Sequence, residues 1–258
     1  MANSEESQDS RVERDRVPTY RELVYNRYVS AFKGRRERDE IEAAFLKHIR
    51  LFDALLEPVL ADRQPESLLE VACGSGAFLF WAARRDIPNV AGFDISAEQV
   101  QVAQSLGLPA QVDSYESYLQ GRVEEYDLIV GMDIIEHLTR DEAIGFLDLC
   151  YKALRPEGAI FLTTPNGAGF RVGPVQFGDF THETIFTPST IDLVLRLVGF
   201  ERVVVREIVP PATSLKSRIR RLAWTFVRLV PMIVDLVETG SPGSRIFTRN
   251  MAVLARKP

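Results

Sequence analysis

The sequence has few cysteines and no apolar run near its start. Cys73 and Cys150 are the only two cysteines in 258 residues, so a disulfide framework is improbable and a reducing compartment fits. The opening segment is rich in Ser, Glu, Asp and Arg and lacks the apolar centre of a signal peptide. We therefore expect a cytoplasmic protein.

An excess of basic residues is also missing. The formal net charge is -5 at pH 7, whereas a surface that binds nucleic acid is normally basic. Only three histidines occur, and no His/Cys cluster has the spacing of metal ligands. We predict no nucleic-acid partner and no metal site.

Residues 68–76 (LLEVACGSG) form the most informative segment. They are typical of a buried strand that enters a tight glycine turn and then a helix. Gly74 and Gly76 allow a ligand to approach the main chain closely, and the N-H groups of the following helix face that ligand. Glu70 lies near the carboxyl end of the strand, where open α/β sheets bind ligands. A plain strand-to-helix connection has the same pattern.

The next strand ends in an acidic residue. Residues 90–93 are apolar and lead to Asp94, about 24 residues after Glu70, near the spacing at which an acid reaches ribose hydroxyls. Ser96 with Gln99 then predicts a capping box that begins another helix.

These motifs resemble class I S-adenosylmethionine-dependent methyltransferases, and bacterial quinone, sugar and glycan methyltransferases in particular. The resemblance covers about residues 67–205 and is carried by residues 68–76, 90–94, 126–138 and 154–166. Ala72 stands where many members have glycine. Nicotinamide dehydrogenases share the turn and the acid, and remain the alternative.

The resemblance implies an α/β, Rossmann-like fold with a seven-stranded, mostly parallel sheet whose last strand is antiparallel. We expect a disordered tail at 1–17, an N-terminal helical cap at 18–62, and a methyltransferase domain at 63–258 with a helical insertion at about 212–244. The strands are predicted near 68–72, 90–94, 109–113, 127–132, 158–164, 200–207 and 246–255.

The resemblance also implies a site for S-adenosylmethionine. Its expected residues are Glu70, Ala72, Gly74, Gly76, Asp94, Ile95, Asp113, Ser114, Met132 and Asp133. By resemblance, the glycines border the methionine part, Asp94 accepts bonds from the ribose, and Asp113 meets the adenine amine. Glu70 helps to orient the amino end. Glu70 and Asp113 have an alternative role, in which they cap helices or satisfy turn N-H groups.

A hydroxyl acceptor must lose its proton, and histidine suits that task near neutral pH. His137 follows the fourth strand, where similar sugar methyltransferases carry a catalytic histidine, and His182 lies in a loop after the fifth strand. Each has the alternative role of a residue that holds its loop. His48 is expected to be packed on the apolar face of a helix.

The insertion predicts a basic amphipathic helix. Over 213–234 apolar residues recur at helical spacing among basic ones, with no acid between Glu207 and Asp235. Such a segment lies at a membrane surface or contacts an anionic lipid-linked substrate. A lid or a helix that forms a homodimer is an equally good interpretation.

For function, we expect O-methylation of a sugar in a cell-surface polysaccharide or lipid-linked glycan. The alternative is O- or N-methylation of a small quinone, aromatic or amino-sugar metabolite. A non-catalytic cofactor-binding interaction module is the alternative of another class.

Overall fold

The computed structural model describes residues 19–26, 37–61, 63–209, 211 and 214–258. The predicted disordered tail at 1–17 lies outside the described residues, as do residues 18, 27–36 and 62 of the predicted helical cap.

A seven-stranded sheet forms the centre of the molecule, in the order β3-β2-β1-β4-β5-β7-β6. The strands are β1 Ser67–Val71, β2 Asn89–Asp94, β3 Ala110–Val112, β4 Tyr126–Met132, β5 Leu154–Pro165, β6 Glu201–Glu207 and β7 Asn250–Arg256. Strand β7 pairs antiparallel with both neighbours, and the other pairs are parallel. The predicted fold class is therefore confirmed.

Ten α-helices lie within the described residues. They are α1 Tyr20–Asn26, α2 Arg38–Leu60, α3 Ala77–Ala82, α4 Ala97–Ser105, α5 Tyr115–Leu119, α6 Arg140–Ala153, α7 Gly173–Gln176, α8 Pro188–Val198, α9 Leu215–Val227 and α10 Leu229–Thr239. A short 3-10 helix spans Ile135–His137. No described helix combines the length and apolarity that crossing a membrane requires.

The strand order explains where a ligand can bind. The chain continues outward from β1 through β2 to β3, then returns so that β4 pairs with the other side of β1. The helices after β1 and β4 therefore leave a crevice at the carboxyl ends of these strands. Helix α2 covers part of one face, because Phe52, Leu56 and Val59 pack with Phe78 and Trp81.

Helix starts show where local patterns succeed and fail. Helix α6 begins after Thr139, which forms a reciprocal capping box with Glu142, a pattern that the sequence also contains. The capping box predicted for Ser96 is wrong. The Ser96 hydroxyl instead donates to the Tyr25 carbonyl in α1 at 2.8 Å, a partner that no local pattern indicates.

The predicted insertion is present, but it forms two helices rather than one. Helices α9 and α10 meet at Arg228, which ends the first and begins the second. Strand β7 begins at Asn250 instead of residue 246, so the insertion and its connections take up more of the chain than expected.

Candidate active site

A left-handed turn links β1 to α3. Ala72, Gly74 and Gly76 all have positive φ, at 54°, 53° and 85°. Asp94 at the end of β2 holds this turn, because its Oδ2 accepts from the Gly74 N-H at 2.8 Å. Its Oδ1 accepts from the Ser96 N-H, also at 2.8 Å. One buried carboxylate thus fastens the ends of β1 and β2 together.

Gly76 does not line the cavity beside this turn, although Gly74 does. A Cβ at Gly76 would lie 2.7 Å from Leu108 Cδ1 and 3.0 Å from Ala103 Cβ. The structure thus places Gly76 outside the cavity lining, and its contact with the cofactor stays a prediction. This glycine is needed for the close packing of α3 against α4 and the segment that follows it.

Glu70 has the helix-capping role that the sequence offered as an alternative, and it also lines the cavity. It is buried and lines the cavity, and its Oε2 accepts from the Leu79 N-H in the first turn of α3 at 3.1 Å. Burial, and then the neighbouring carboxylate of Asp94, raise the pKa of Glu70 well above its ordinary value. Glu70 therefore caps α3 at the floor of the cavity.

Asp113 does not line the cavity, although it directly precedes Ser114, which does. Its Oδ1 accepts from the Ser114 N-H at 2.9 Å, which is the alternative role predicted for this acid. Ser114 does line the cavity, and its hydroxyl caps α5 by accepting from the Ser117 N-H.

One cavity of about 840 Å³ opens at the carboxyl ends of the parallel strands. Apart from Gly76 and Asp113, every predicted cofactor residue lines it, and both His137 and His182 line it as well. Its size falls in the range of small-molecule sites. The turn after β1 and the two histidines thus line the same open cavity.

The two histidine rings pack edge to face, with centroids 4.8 Å apart and an angle of 64° between their planes. The Thr181 hydroxyl donates to Asp179 Oδ1 at 2.6 Å, so it must accept from His137 Nδ1 at 2.8 Å. His182 Nδ1 lies 2.9 Å from the Gln176 carbonyl, which can only accept. In the neutral form, both rings therefore carry their proton on Nδ1 and have a free lone pair on Nε2.

Burial, followed by the neighbouring His182, lowers the pKa of His137. This shift favours the neutral ring, which is the form that can accept a proton. His48 is exposed on α2 with its ring near Phe52, so the predicted packing of His48 is wrong.

Glu136 completes a cluster that the sequence analysis overlooked. The side chain is buried, its Oε2 makes no hydrogen bond within the described residues, and burial followed by Asp133 raises its pKa to about 8. Ligand atoms of Glu136, His137 and His182 lie within 4.8 Å of one another. These three residues could hold a divalent cation, although the sequence predicted no metal site.

Helix α1 contributes residues that no motif indicated. Arg21 and Tyr25 line the cavity, and Arg21 Nη2 donates to the His137 carbonyl at 2.9 Å. Arg21 Nη1 also pairs with Glu142 Oε1 at 2.7 Å. Burial raises the pKa of Tyr25 to about 12, so its hydroxyl stays protonated. Helix α1 thus closes the side of the cavity that holds His137.

Known proteins resemble the chain over this region. The family model described as "Methyltransferase domain" matches residues 41–205. The mitochondrial ubiquinone biosynthesis O-methyltransferase of Rattus norvegicus is 28% identical over 152 residues, which is 51% of this chain and 43% of that protein. The ubiquinone biosynthesis O-methyltransferase of Hydrogenovibrio crunogenus is 28% identical over 52% of this chain and 61% of its own. The chain spans about half the length of the curated relatives it matches.

Solved structures share the fold. A SAM-dependent methyltransferase from Archaeoglobus fulgidus has a TM-score of 0.58 at 19% identity, covering 93% of this chain and 100% of its own. Haemonchus contortus phosphoethanolamine N-methyltransferase 2, in complex with phosphomonomethylethanolamine and S-adenosylhomocysteine, has a TM-score of 0.59 at 16% identity. That match covers 94% of this chain and 61% of the other.

Proposed function

We propose that this chain methylates a phenolic oxygen of a quinone precursor. The premise is that the chain belongs to the methyltransferase domain family and is an S-adenosylmethionine-dependent methyltransferase. The main support is the single cavity that joins the cofactor turn to the histidine pair. The relatives named as ubiquinone biosynthesis O-methyltransferases support the acceptor class.

The cofactor end of the cavity fits a nucleoside sulfonium. Asp94 is buried beside the turn, lines the cavity and accepts from the N-H groups of Gly74 and Ser96 through its two carboxylate oxygens, at the strand end where an acid that binds ribose is expected. Gly74 lines the cavity and has no side chain of its own, so a ligand can approach its peptide closely. When bound, S-adenosylmethionine supplies an activated methyl group for in-line displacement. The protein then mainly has to align the two reactants and exclude water.

The acceptor end has the groups that remove a hydroxyl proton. His137 Nε2 has a free lone pair, and the hydrogen bond to Thr181 fixes the ring orientation. Arg21 Nη2 donates to the backbone carbonyl of His137. We assign His137 as the base that takes the phenolic proton as the new oxygen-carbon bond forms.

Exposed aromatic rings favour an acceptor with an apolar part. Phe177 and Phe180 are 86% and 85% exposed, in the segment whose neighbours Gly178 and Asp179 line the cavity. An apolar tail of the acceptor gains favourable burial against such rings. A highly hydroxylated sugar lacks that gain. The glycan acceptor expected from the sequence remains a prediction, and the names of the relatives point instead to quinones.

The cluster of Glu136, His137 and His182 supports a second way to activate the acceptor. A divalent cation held there would bind the acceptor oxygen and lower the pKa of its hydroxyl. The hydrogen bonds from both Nδ1 atoms leave the Nε2 atoms available, which is the arrangement found around metal-bound histidines.

The test is a methyl-transfer assay with S-adenosylmethionine and three acceptors: a phenolic quinone precursor, an amino sugar and a lipid-linked glycan. We expect S-adenosylhomocysteine to form with the phenol alone. Turnover that persists after chelator treatment assigns the step to the histidine base, and turnover restored by added Mg²⁺ or Zn²⁺ assigns it to the cation. Turnover with the glycan alone would contradict the acceptor class. Cofactor binding with no turnover on any acceptor would support the non-catalytic module.

A further inference from the structure

The insertion leaves the sheet beside the mouth of the cavity. Strand β6 ends at Glu207, which pairs with Met251, and β7 begins at Asn250, which pairs with Pro165 at the end of β5. Pro165 and Asn250 both line the cavity. Helices α9 and α10 therefore project from the same edge of the sheet that carries the site.

One side of α9 is attached to the body of the protein. Trp224 Nε1 donates to Glu207 Oε2 at 3.4 Å, and Arg228 Nη1 pairs with the same oxygen at 3.2 Å. Arg228 also donates to the Arg245 carbonyl at 2.7 Å. Trp224 and Arg228 are one turn apart and so lie on the same side of the helix.

The opposite side of α9 is apolar and faces away from these contacts. Leu215, Ile219, Leu222 and Phe226 repeat at helical spacing and are 58 to 75% exposed. Helix α10 continues the apolar surface, and its exposed members are Leu229, Val230, Ile233, Val234, Leu236 and Val237. Neither helix contains a buried residue.

Basic side chains flank this apolar surface. Lys216 and Arg218 lie on the two sides of the stripe, Arg220 and Arg221 lie further round the helix toward Trp224, and residues 208–234 contain no acid. We propose that α9 and α10 dock the protein on an anionic membrane surface, with the apolar side chains among the acyl chains and the basic ones at the headgroups. A second copy of the chain fits less well, because a symmetric contact would bring two basic stripes together.

Docking in this way places the cavity edge next to the bilayer. An acceptor dissolved in the membrane then enters the site without crossing water, a consequence that rests on the proposed function. The docking itself does not require methyl transfer, so it is measured without an acceptor.

The experiment is co-sedimentation of the full chain with vesicles. We expect the protein to sediment with vesicles of mixed phosphatidylglycerol and phosphatidylcholine, and to stay in solution with phosphatidylcholine alone. Added salt is expected to weaken the binding, because it screens the basic side chains.

Two double variants test the two parts of the surface. Leu222→Glu with Phe226→Glu places acids in the apolar stripe and should abolish sedimentation. Lys216→Glu with Arg218→Glu should lower the affinity by about fivefold or more for each charge changed. The matched control is Leu193→Glu with Leu197→Glu on α8, where both leucines are also exposed, and it should sediment like the parent chain.

Thermal stabilisation by S-adenosylhomocysteine checks that each variant is folded. The proposal is overturned if the parent chain does not sediment with anionic vesicles, or if the α8 control loses binding to the same extent. It is also overturned if light scattering shows a dimer that the Leu222 and Phe226 changes dissociate while vesicle binding persists.

Discussion

The two ends of the cavity are built in different ways. The cofactor end joins adjacent βα units, and its central bond links Gly74 to Asp94, 20 positions apart. The acceptor end joins segments that are far apart in the chain, as in the bond from Arg21 to the His137 carbonyl across 116 positions. The cofactor end is shaped mainly by the backbone of the turn after β1, and we call this part the backbone frame. The acceptor end depends on side chains that only the complete fold brings together.

This difference predicts that changes at the two ends have different consequences. Substitutions at the acceptor end should change turnover while cofactor binding stays intact. Substitutions in the backbone frame should change stability or cofactor affinity first.

The largest effect is expected at His137. His137→Ala removes the proposed base and should lower turnover by about 10²- to 10⁴-fold, with cofactor affinity unchanged. Steady-state kinetics and calorimetry with S-adenosylhomocysteine measure the two quantities. His48→Ala is the control, since His48 is exposed on α2. If His137→Ala lost both turnover and cofactor affinity, His137 would be a residue that holds its loop and not the base.

A substitution at Gly76 tests the packing around the turn between β1 and α3. Gly76→Ala forces a Cβ against Leu108 and Ala103 at a positive φ, and should destabilise the protein by about 2 to 4 kcal/mol. Gly107→Ala is the control, because its φ is also positive but the space around it is open. We expect about 1 to 2 kcal/mol for that change. Equal losses in denaturant unfolding would show that packing at Gly76 contributes nothing.

Asp94 tests cofactor binding. Asp94→Ala removes a charged hydrogen-bond acceptor and should weaken binding of S-adenosylhomocysteine by about 1.5 to 3 kcal/mol. Asp113→Ala should leave the affinity unchanged, because Asp113 does not line the cavity. Calorimetry measures the affinity of each variant for S-adenosylhomocysteine. A larger loss of affinity in Asp113→Ala than in Asp94→Ala would support the adenine contact that the sequence predicted for Asp113.

The smallest effect concerns the ion pair that holds α1. The hydrogen bond from Arg21 lowers the pKa of Glu142 from its ordinary value of 4.5 to about 2. The pair therefore stabilises the fold above pH 4.5, and this contribution is lost as the pH falls toward 2. We expect about 1 kcal/mol from such a partly exposed pair.

Glu142→Gln isolates that contribution. The variant should be less stable than the parent chain at neutral pH, and the difference should shrink as acid protonates the parent carboxylate. Denaturant unfolding across the acidic range measures it. A difference that stays constant with pH would rule out the ion pair as its source.

Local patterns placed the backbone around the turn well. The strand before the turn and the acid at the end of β2 follow from hydrophobic runs and short motifs, and the family resemblance implied the mostly parallel sheet. The role of Gly76 does not follow from such patterns, because it depends on Leu108 and Ala103 across the helix interface. The orientation of Asp113 depends on its own loop backbone.

The acceptor end shows the limit more clearly. His137 and His182 were candidates by residue type. Their edge-to-face contact and the buried Glu136 beside them arise because the segment after β4 packs against the segment after β5. The sequence predicted that the Ser96 hydroxyl takes part in a capping box, but this hydroxyl donates to the carbonyl of Tyr25 in α1. Contacts of this kind have no signature in a single sequence.

A crystal structure with S-adenosylhomocysteine tests the central claim most directly, which is that one cavity holds the cofactor at the turn and the acceptor at the histidine pair. We predict that the ribose hydroxyls donate to the Asp94 carboxylate and that the sulfur faces the end of the cavity lined by His137 and His182. A nucleoside bound outside this cavity, or with its sulfur turned away from the histidines, would contradict the account.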